Sequence, residues 1–238
     1  MIESQSQIQG LILTRYDDLN LYNENLISAG AYLLKPVSDW KGRFGLVYYH
    51  DSIDGSSFQQ RLALELRADR YYARGQRLRL RYDYTQYNDL DARYDYLNGW
   101  RQRFTVENRG RIGSHELRLG YKYELNNRDD FYSATSFFSY SPIRHTVYGM
   151  YEYSFTQQWL AQVMAEYRRS DYQEANISNG VNLGVQQDDR SRYRLAGIYR
   201  LSRNAEFELS WRYTNNRSNI TTESYVSNLT MLSFNYYF

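Results

Sequence analysis

Apolar and polar side chains alternate along most of the chain with a period of two residues. The stretch 77–87 reads RLRLRYDYTQY, and 116–125 reads ELRLGYKYEL. The stretches 61–69 and 206–214 repeat the pattern, with leucine or an aromatic residue at every second position and charged residues between. A period of two residues is typical of a β-strand with one apolar face and one polar face.

Twelve segments with this alternation follow one another, and connections of two kinds separate them. Short connections lie at 37–41, 74–75, 109–113, 156–158 and 203–204, whereas connections that are mostly longer and rich in Asp, Asn and Ser lie at 17–24, 53–57, 88–92, 128–142, 172–189 and 218–223. This rhythm predicts an all-β fold, a transmembrane antiparallel up-and-down β-barrel of about 12 strands with both termini on the periplasmic side. The predicted strands are 6–16, 25–36, 42–52, 58–73, 76–87, 93–108, 114–127, 143–155, 159–171, 190–202, 205–217 and 224–238.

The last predicted strand ends the chain on an aromatic residue of its apolar face. Apolar side chains recur at Leu232, Phe234, Tyr236 and Phe238. Such an ending resembles the closing strand of bacterial outer-membrane β-barrels, in which the terminal residue is read by the assembly machinery. The resemblance implies that Phe238 is a membrane-assembly signal, that the protein lies in the bacterial outer membrane, and that its partners are the barrel-assembly machinery, outer-membrane lipid and lipopolysaccharide.

The composition agrees with a barrel that has a water-filled interior, and it excludes several other classes of protein. The mean hydropathy is −0.77, and no stretch approaches the ~20 apolar residues of a membrane helix. The 27 Tyr residues exceed the 10 Phe and 4 Trp residues, which suits interfacial girdles and a polar interior. The absence of Cys excludes disulfides and a Cys nucleophile. The formal net charge is only +2 and arginines alternate with carboxylates, so the chain is not a nucleic-acid binder.

The beginning of the chain leaves its natural extent open. Residues 1–5 do not have the basic and apolar regions of a signal peptide. We therefore expect residues 1–238 to form one barrel domain. That domain is either a mature protein with an added Met or part of a longer protein with a periplasmic partner domain.

Arginines on the polar face are the main candidates for function. Strand direction groups them into two patches, one at mid-height on the fifth to seventh strands and one towards the outer half of the ninth to eleventh. We expect these patches to face each other across the lumen and to form an anion track: Arg79, Arg81, Arg101, Arg103, Arg118, Arg168, Arg192, Arg194 and Arg212. The alternative is that carboxylates on the same face pair with them in ladders that fill the lumen. A track survives where arginines outnumber acids, which we expect on the fifth to seventh strands.

Opposed arginine tracks in a twelve-stranded barrel resemble the small porins for acidic sugars such as oligogalacturonate and sialic acid. Phrases such as LRLGYKY and ELSWRYTNNRS resemble, more generally, the barrel domains of porins and of exopolysaccharide or surface-protein export proteins. The resemblance implies an outer-membrane channel for small anionic solutes, with no enzymatic activity, cofactor or metal. An export barrel and a purely structural barrel are alternatives, and the long segments 128–142 and 172–189 could fold inward.

A further alternative comes from residues 50–55, HDSIDG. They resemble the HDSNG motif of outer-membrane phospholipase A, which implies His50 as base and Ser52 as nucleophile of a lipid hydrolase. Ile53 and Asp54 stand where the motif has Asn, and Gln60 is the one available orienting amide. The competing interpretation is a strand that ends in an ordinary Asp-Gly loop.

Overall fold

Nearly all of the chain forms antiparallel strands. The structure, a computed structural model, describes the backbone of residues 2–14, 21–53 and 56–236 and the side chains of residues 28–36, 38–52, 56–92 and 94–235. Two short 3₁₀ helices occur in this part, Ala92–Leu97 and Thr221–Glu223, and no helix in it has the length and apolarity needed to cross a bilayer. The strands are β1 Ile2–Thr14, β2 Leu21–Val37, β3 Trp40–Ile53, β4 Ser56–Ala73, β5 Gln76–Asp89, β6 Gly99–Ile112, β7 His115–Arg128, β8 Phe131–Tyr132, β9 Phe137–Phe138, β10 Ile143–Ser154, β11 Trp159–Ser178, β12 Val181–Arg200, β13 Ala205–Ser218 and β14 Tyr225–Tyr236.

Twelve long strands form one up-and-down sheet. Each long strand pairs with its neighbours in the order β1 to β7 and then β10 to β14, and every pairing between them is antiparallel. This confirms the predicted up-and-down strand order. Within the described residues, β1 and β14 form the two ends of the sheet. Short turns close one end of the strands, here called the turn end, and the longer connections lie at the opposite loop end.

Exposure of the side chains is inverted relative to a water-soluble protein. On one face, leucines lie in the open, and Leu119 and Leu209 are 55% and 58% exposed. On the other face, carboxylates are covered, and Asp83 and Glu116 are only 3% and 4% exposed. A sheet in water would bury its leucines, because apolar surface in contact with water is unfavourable. The sheet therefore has an outward apolar face and a sheltered polar face, as the alternation predicted.

One predicted loop is wrong. Residues 172–189 form the upper parts of β11 and β12, which meet in a two-residue turn at Asn179 and Gly180. Both turn residues have positive φ, 50° and 78°, as a tight hairpin of this hand requires. The segment is rich in Asn, Gln, Asp and Ser, as the other predicted loops are. Only a short apolar row, Val181, Leu183 and Val185, has the period of two residues that indicates a strand.

The predicted sixth strand is also displaced, since residues 93–98 precede the strand and β6 continues to Ile112. The long connection 129–142 folds onto the β11–β12 hairpin. Phe137 pairs with Ile177, and the Ser139 amide donates to Asn176 Oδ1 over 2.9 Å. The Gly180 amide donates to the Thr135 carbonyl over 2.7 Å. These bonds give the connection a fixed place at the loop end.

Tyrosines on the polar face lie over glycines of adjacent strands. Tyr148 of β10 lies directly across from Gly120 of β7, which is in turn across from Glu107 of β6. The absence of a side chain at Gly120 lets Tyr148 cross β7, and its hydroxyl donates to Glu107 over 2.9 Å. Tyr32 lies over Gly45 in the same way. These contacts cover the glycines and tie strands that are not neighbours.

Replacement of Gly120 by Ala tests this arrangement. The new Cβ would collide with the Tyr148 ring, so the tyrosine must move and its hydrogen bond to Glu107 must weaken. We expect a loss of ~1–3 kcal/mol in the free energy of unfolding, measured by urea denaturation of the refolded protein in detergent micelles. Gly197→Ala is the matched control, because a Cβ at position 197 meets no atom within 4 Å. Equal stability of the two variants would contradict the role of Gly120.

Candidate functional site

Carboxylates pair with most of the predicted arginines on β5 to β7. Arg79 Nε lies 2.7 Å from Asp69 Oδ1, and Arg81 and Arg103 reach the two oxygens of Asp83 over 2.6 and 3.0 Å. Asp69 and Asp83 are 5% and 3% exposed. Arg118 likewise lies 2.6 Å from Glu116 Oε1. The expectation that these arginines face few carboxylates is therefore wrong for four of the five, because each of the four side chains reaches a carboxylate two residues along its strand or on the next strand.

Cations exceed carboxylates further along the same face. On β7, β10, β11 and β12, one carboxylate serves three cations: Glu166 lies 3.1 Å from Arg190, 3.5 Å from Arg192 and 3.8 Å from Lys122. Arg144 pairs with Glu124 over 2.7 Å. We call this group the cationic wall, which comprises Arg101, Lys122, Glu124, Arg144, Glu166, Arg168, Arg190 and Arg192.

Three of the predicted arginines have no carboxylate partner among the described residues: Arg101, Arg168 and Arg212. Their Nε atoms are buried and donate to no acceptor in the described part of the chain. The Arg101 guanidinium lies 5.6 Å from the centre of the Tyr87 ring, and the Arg128 guanidinium lies 3.3 Å from the same ring centre. Unpaired guanidinium donors in a sheltered place are costly, so these three arginines are the strongest candidates for contact with a bound anion.

The two predicted patches are not separate. Lys122 of β7 contacts Glu166 of β11 across β10, so the polar side chains of β6 to β12 form one continuous surface. Arg194 continues it towards the turn end, where it pairs with Glu208 of β13. Sequence analysis missed Lys122, Arg144 and Arg190 as members of this surface. The strand register would have placed the first two, and Arg190 was the first residue of the predicted strand 190–202, next to the predicted loop.

The acidic side chain of Asp188, near the cationic wall, is hydrogen-bonded to a neutral residue. Asp188 lies on the polar face one row nearer the loop end, across from Ser170, and it accepts hydrogen bonds from Gln186 Nε2 over 3.0 and 3.1 Å. Among the described residues, Asp188 therefore forms no ion pair with a cation of the cationic wall.

Comparison with known proteins agrees with the inverted faces of the sheet. Residues 122–237 match the family model described as "Putative beta-barrel porin 2". The COG4313 outer membrane channel from Pseudomonas putida F1 is similar in structure, with a TM-score of 0.54 and 12% identity over 98% of this chain and 89% of that chain. No curated protein matches the sequence.

A second solved structure has the same fold. The loop L8 deletion mutant of OmpT, an outer membrane protein of Vibrio cholerae, gives a TM-score of 0.52 at 8% identity over 100% of this chain and 99% of that chain. The chain is a bacterial outer-membrane β-barrel. The polar face of the barrel is thus its lumen, and the apolar face contacts lipid. Such barrels have short periplasmic turns, so we expect the loop end to face outside the cell.

The loops at the outer end of the barrel bring aromatic rings together. The ring centre of Tyr96 lies 5.0 Å from that of Tyr140 and 5.5 Å from that of Phe131. Burial raises the pKa of the Tyr96 and Tyr140 hydroxyls. Both side chains therefore stay protonated at neutral pH, and they add no negative charge to the outer entrance.

The histidines of the barrel lie on its lipid face. His50 Nε2 is 3.3 Å from Ser57 Oγ, and Gln60 lies directly across from His50 on β4. Ser52, the nucleophile that the phospholipase resemblance implies, lies across from Ser57. Residues 54–55 of the motif, like the predicted assembly signal Phe238, lie outside the described residues. His115 and His145 each bond a tyrosine hydroxyl over 2.7 Å, those of Tyr151 and Tyr121.

Glu166→Gln tests the shared carboxylate of the cationic wall. Removal of its charge leaves Arg190, Arg192 and Lys122 without a counter-ion in a sheltered lumen, where the Glu166 side chain is 8% exposed. We expect the free energy of unfolding to fall by roughly 2 kcal/mol, because breaking a buried pair leaves an uncompensated charge.

Asp171→Asn is the control for this variant. The Arg169–Asp171 pair lies on the outer face, and its side chains are 49% and 34% exposed. Its loss should cost less than about 1 kcal/mol. Urea denaturation of both variants distinguishes the two environments, and an equal loss in both would contradict the special position of Glu166.

Proposed function

We propose that the barrel is a channel through which small anionic solutes pass, with acidic saccharides as the favoured class. The observation that carries the proposal is that three of the predicted lumen arginines, Arg101, Arg168 and Arg212, pair with no carboxylate and have buried Nε atoms without an acceptor among the described residues. A solute carboxylate or phosphate would supply that acceptor. Guanidinium groups bind both anions in a bidentate manner.

The surroundings of these arginines favour the passage of an anion over its tight binding. Glu166 is shared by three cations and Glu124 holds Arg144, so a solute that moves past the unpaired arginines competes with protein carboxylates for the neighbouring cations. Several moderate sites in a row let an anion enter and also leave, as conduction requires. The barrel acts here through its electrostatic field, and the proposal needs neither a catalytic residue nor a cofactor.

Ion selectivity in planar bilayers tests the channel. Under a salt gradient, we expect a steady conductance whose reversal potential indicates anion preference. In the variant Arg101→Ala/Arg168→Ala/Arg212→Ala this preference should fall by at least about half, because the lumen loses its uncompensated cations. The absence of conductance in folded protein would contradict the proposal.

A matched triple variant controls for net charge. Arg70, Arg169 and Arg217 are exposed; Arg70 and Arg169 pair with the exposed carboxylates of Asp39 and Asp171. Arg70→Ala/Arg169→Ala/Arg217→Ala removes the same charge from the outside of the barrel. It should leave the reversal potential unchanged, since water and salt screen these groups. An equal effect of both triple variants would mean that overall charge sets the selectivity.

Saccharide charge is tested separately in the same bilayers. Trigalacturonate should reduce the current at concentrations at least about 10-fold lower than maltotriose does, because only the acidic sugar can bridge the lumen arginines. The lumen triple variant should lose this difference. Equal inhibition by the two sugars would restrict the proposal to small inorganic anions.

A further inference from the structure

A polar groove lies at the loop end of the barrel, where its wall combines Trp100 and Leu125 of the apolar face with Asn126 of the polar face. It encloses about 290 Å³ between the upper ends of β6 and β7, the returning part of the 129–142 connection and the upper part of β11. Trp100 and Asn127 face each other across the β6–β7 pair, and Gln173 and Glu174 contribute from β11.

The groove contains a buried hydroxyl without a partner. Ser139 lines it and is 5% exposed. The Ser139 amide is bonded to Asn176 Oδ1, whereas its Oγ has no hydrogen-bond partner among the described residues. The neighbouring Ser141 hydroxyl, by contrast, donates to the Arg128 carbonyl over 3.3 Å. Buried polar atoms are nearly always paired, so a free hydroxyl in a groove wall indicates a missing polar ligand.

An aromatic surface forms the lower rim of this groove. Trp100 contacts no other aromatic ring in the described part of the chain, and Leu125 lies beside it in the groove wall. Leu125 pairs with Ile143 and Gln102 at the top of the apolar rows of β7, β10 and β6. The groove therefore begins where the lipid-facing surface ends, at the level of the outer-leaflet headgroups, where tryptophan is favoured.

The charges in the groove exclude a phosphate ligand. Its two ionisable side chains are acidic, Asp130 and Glu174, and no Lys or Arg lines it. Asp130 Oδ1 accepts from the Tyr140 amide over 2.7 Å, which fixes its direction. Carboxylates, amides and hydroxyls together offer both donors and acceptors at close spacing. That set suits a ligand rich in hydroxyl groups.

We propose that this groove binds an uncharged sugar residue. Its volume is at the lower end of small-ligand sites, roughly 300–1,000 Å³, and therefore suits one sugar ring. The apolar side of the ring would lie on Trp100, and its hydroxyls would bond Ser139 Oγ, Gln173 and Glu174. The sugar belongs either to a glycolipid of the outer leaflet or to a free glycan, and the site acts independently of the anion path in the lumen.

Fluorine NMR of the full chain tests the proposal. The protein is refolded in nanodiscs with 5-fluorotryptophan, and the Trp100 resonance is assigned from Trp100→Phe. The probes are dephosphorylated core oligosaccharide in solution, intact lipopolysaccharide in the nanodisc, and inorganic phosphate. We expect saturable movement of the Trp100 resonance with a saccharide probe and none with phosphate, while the resonances of Trp40, Trp159 and Trp211 stay in place.

The two saccharide probes distinguish the sources of the sugar. Movement with the soluble oligosaccharide indicates a free glycan, and movement with intact lipopolysaccharide alone indicates a membrane-bound headgroup. Movement with neither saccharide, or an equal response to phosphate, overturns the proposal.

Side-chain variants confirm where the sugar binds. Gln173→Ala should weaken saccharide binding about 10-fold through the loss of polar contacts in the groove. Gln187→Ala is its control, because Gln187 is an exposed glutamine across from Asp171 on the adjacent strand and does not line the groove. Equal affinity of these two variants would overturn the assignment. Migration of the folded and the heat-unfolded protein on gels establishes that each variant is a barrel.

Discussion

The backbone of a membrane-spanning chain must satisfy its own hydrogen bonds, and the rest of this structure follows from that constraint. An unpaired amide or carbonyl in hydrocarbon costs several kcal/mol, so only helices and closed sheets can cross the bilayer. This chain pairs twelve long strands side by side. Since the outer face then meets lipid, each strand has to direct its polar residues inward. The inverted exposure of Leu209 and Asp83 is the direct consequence.

Charges that are forced inward must be neutralised or used. On β4 to β7 most of them are paired, since Asp83 and Glu116 each hold two arginines and Asp69 lies within 4 Å of three. Such ladders fix the positions of long side chains and leave little field for a solute. On β10 to β12 fewer of the cations are held closely, because Glu166 is shared at 3.1–3.8 Å by three cations and Arg168 pairs with no carboxylate among the described residues. The two parts of the lumen thus divide structural support and anion attraction between them.

Strand order and face could be predicted from the sequence because both depend on a period of two residues. The alternation of Leu117 and Leu119 with Glu116 and Arg118 assigns these side chains to two faces without any knowledge of the neighbours, and the twelve long segments with the terminal Phe indicate that the apolar face meets lipid. The hairpin at Asn179 was harder to predict in this way, since its apolar row is short, Val181, Leu183 and Val185, and lies within a polar segment. The ion pairs could not be predicted from the sequence. Whether Arg81 is free depends on the position of Asp83 and on the register with β4, and sequence alternation gives neither distance.

The placement of unpaired donors separates the two candidate sites by chemistry. In the lumen most of the unsatisfied groups among the described residues are guanidinium Nε atoms, such as that of Arg168, among a surplus of cations, which selects negative charge. In the outer groove the unsatisfied group is the Ser139 hydroxyl, beside Asp130 and Glu174, which repels negative charge and accepts a neutral hydroxyl-rich ligand. A sequence under no functional constraint would pair or remove such groups, because each one costs stability. Their persistence in two places on one sheet, with opposite local charge, argues for two ligands of different kinds.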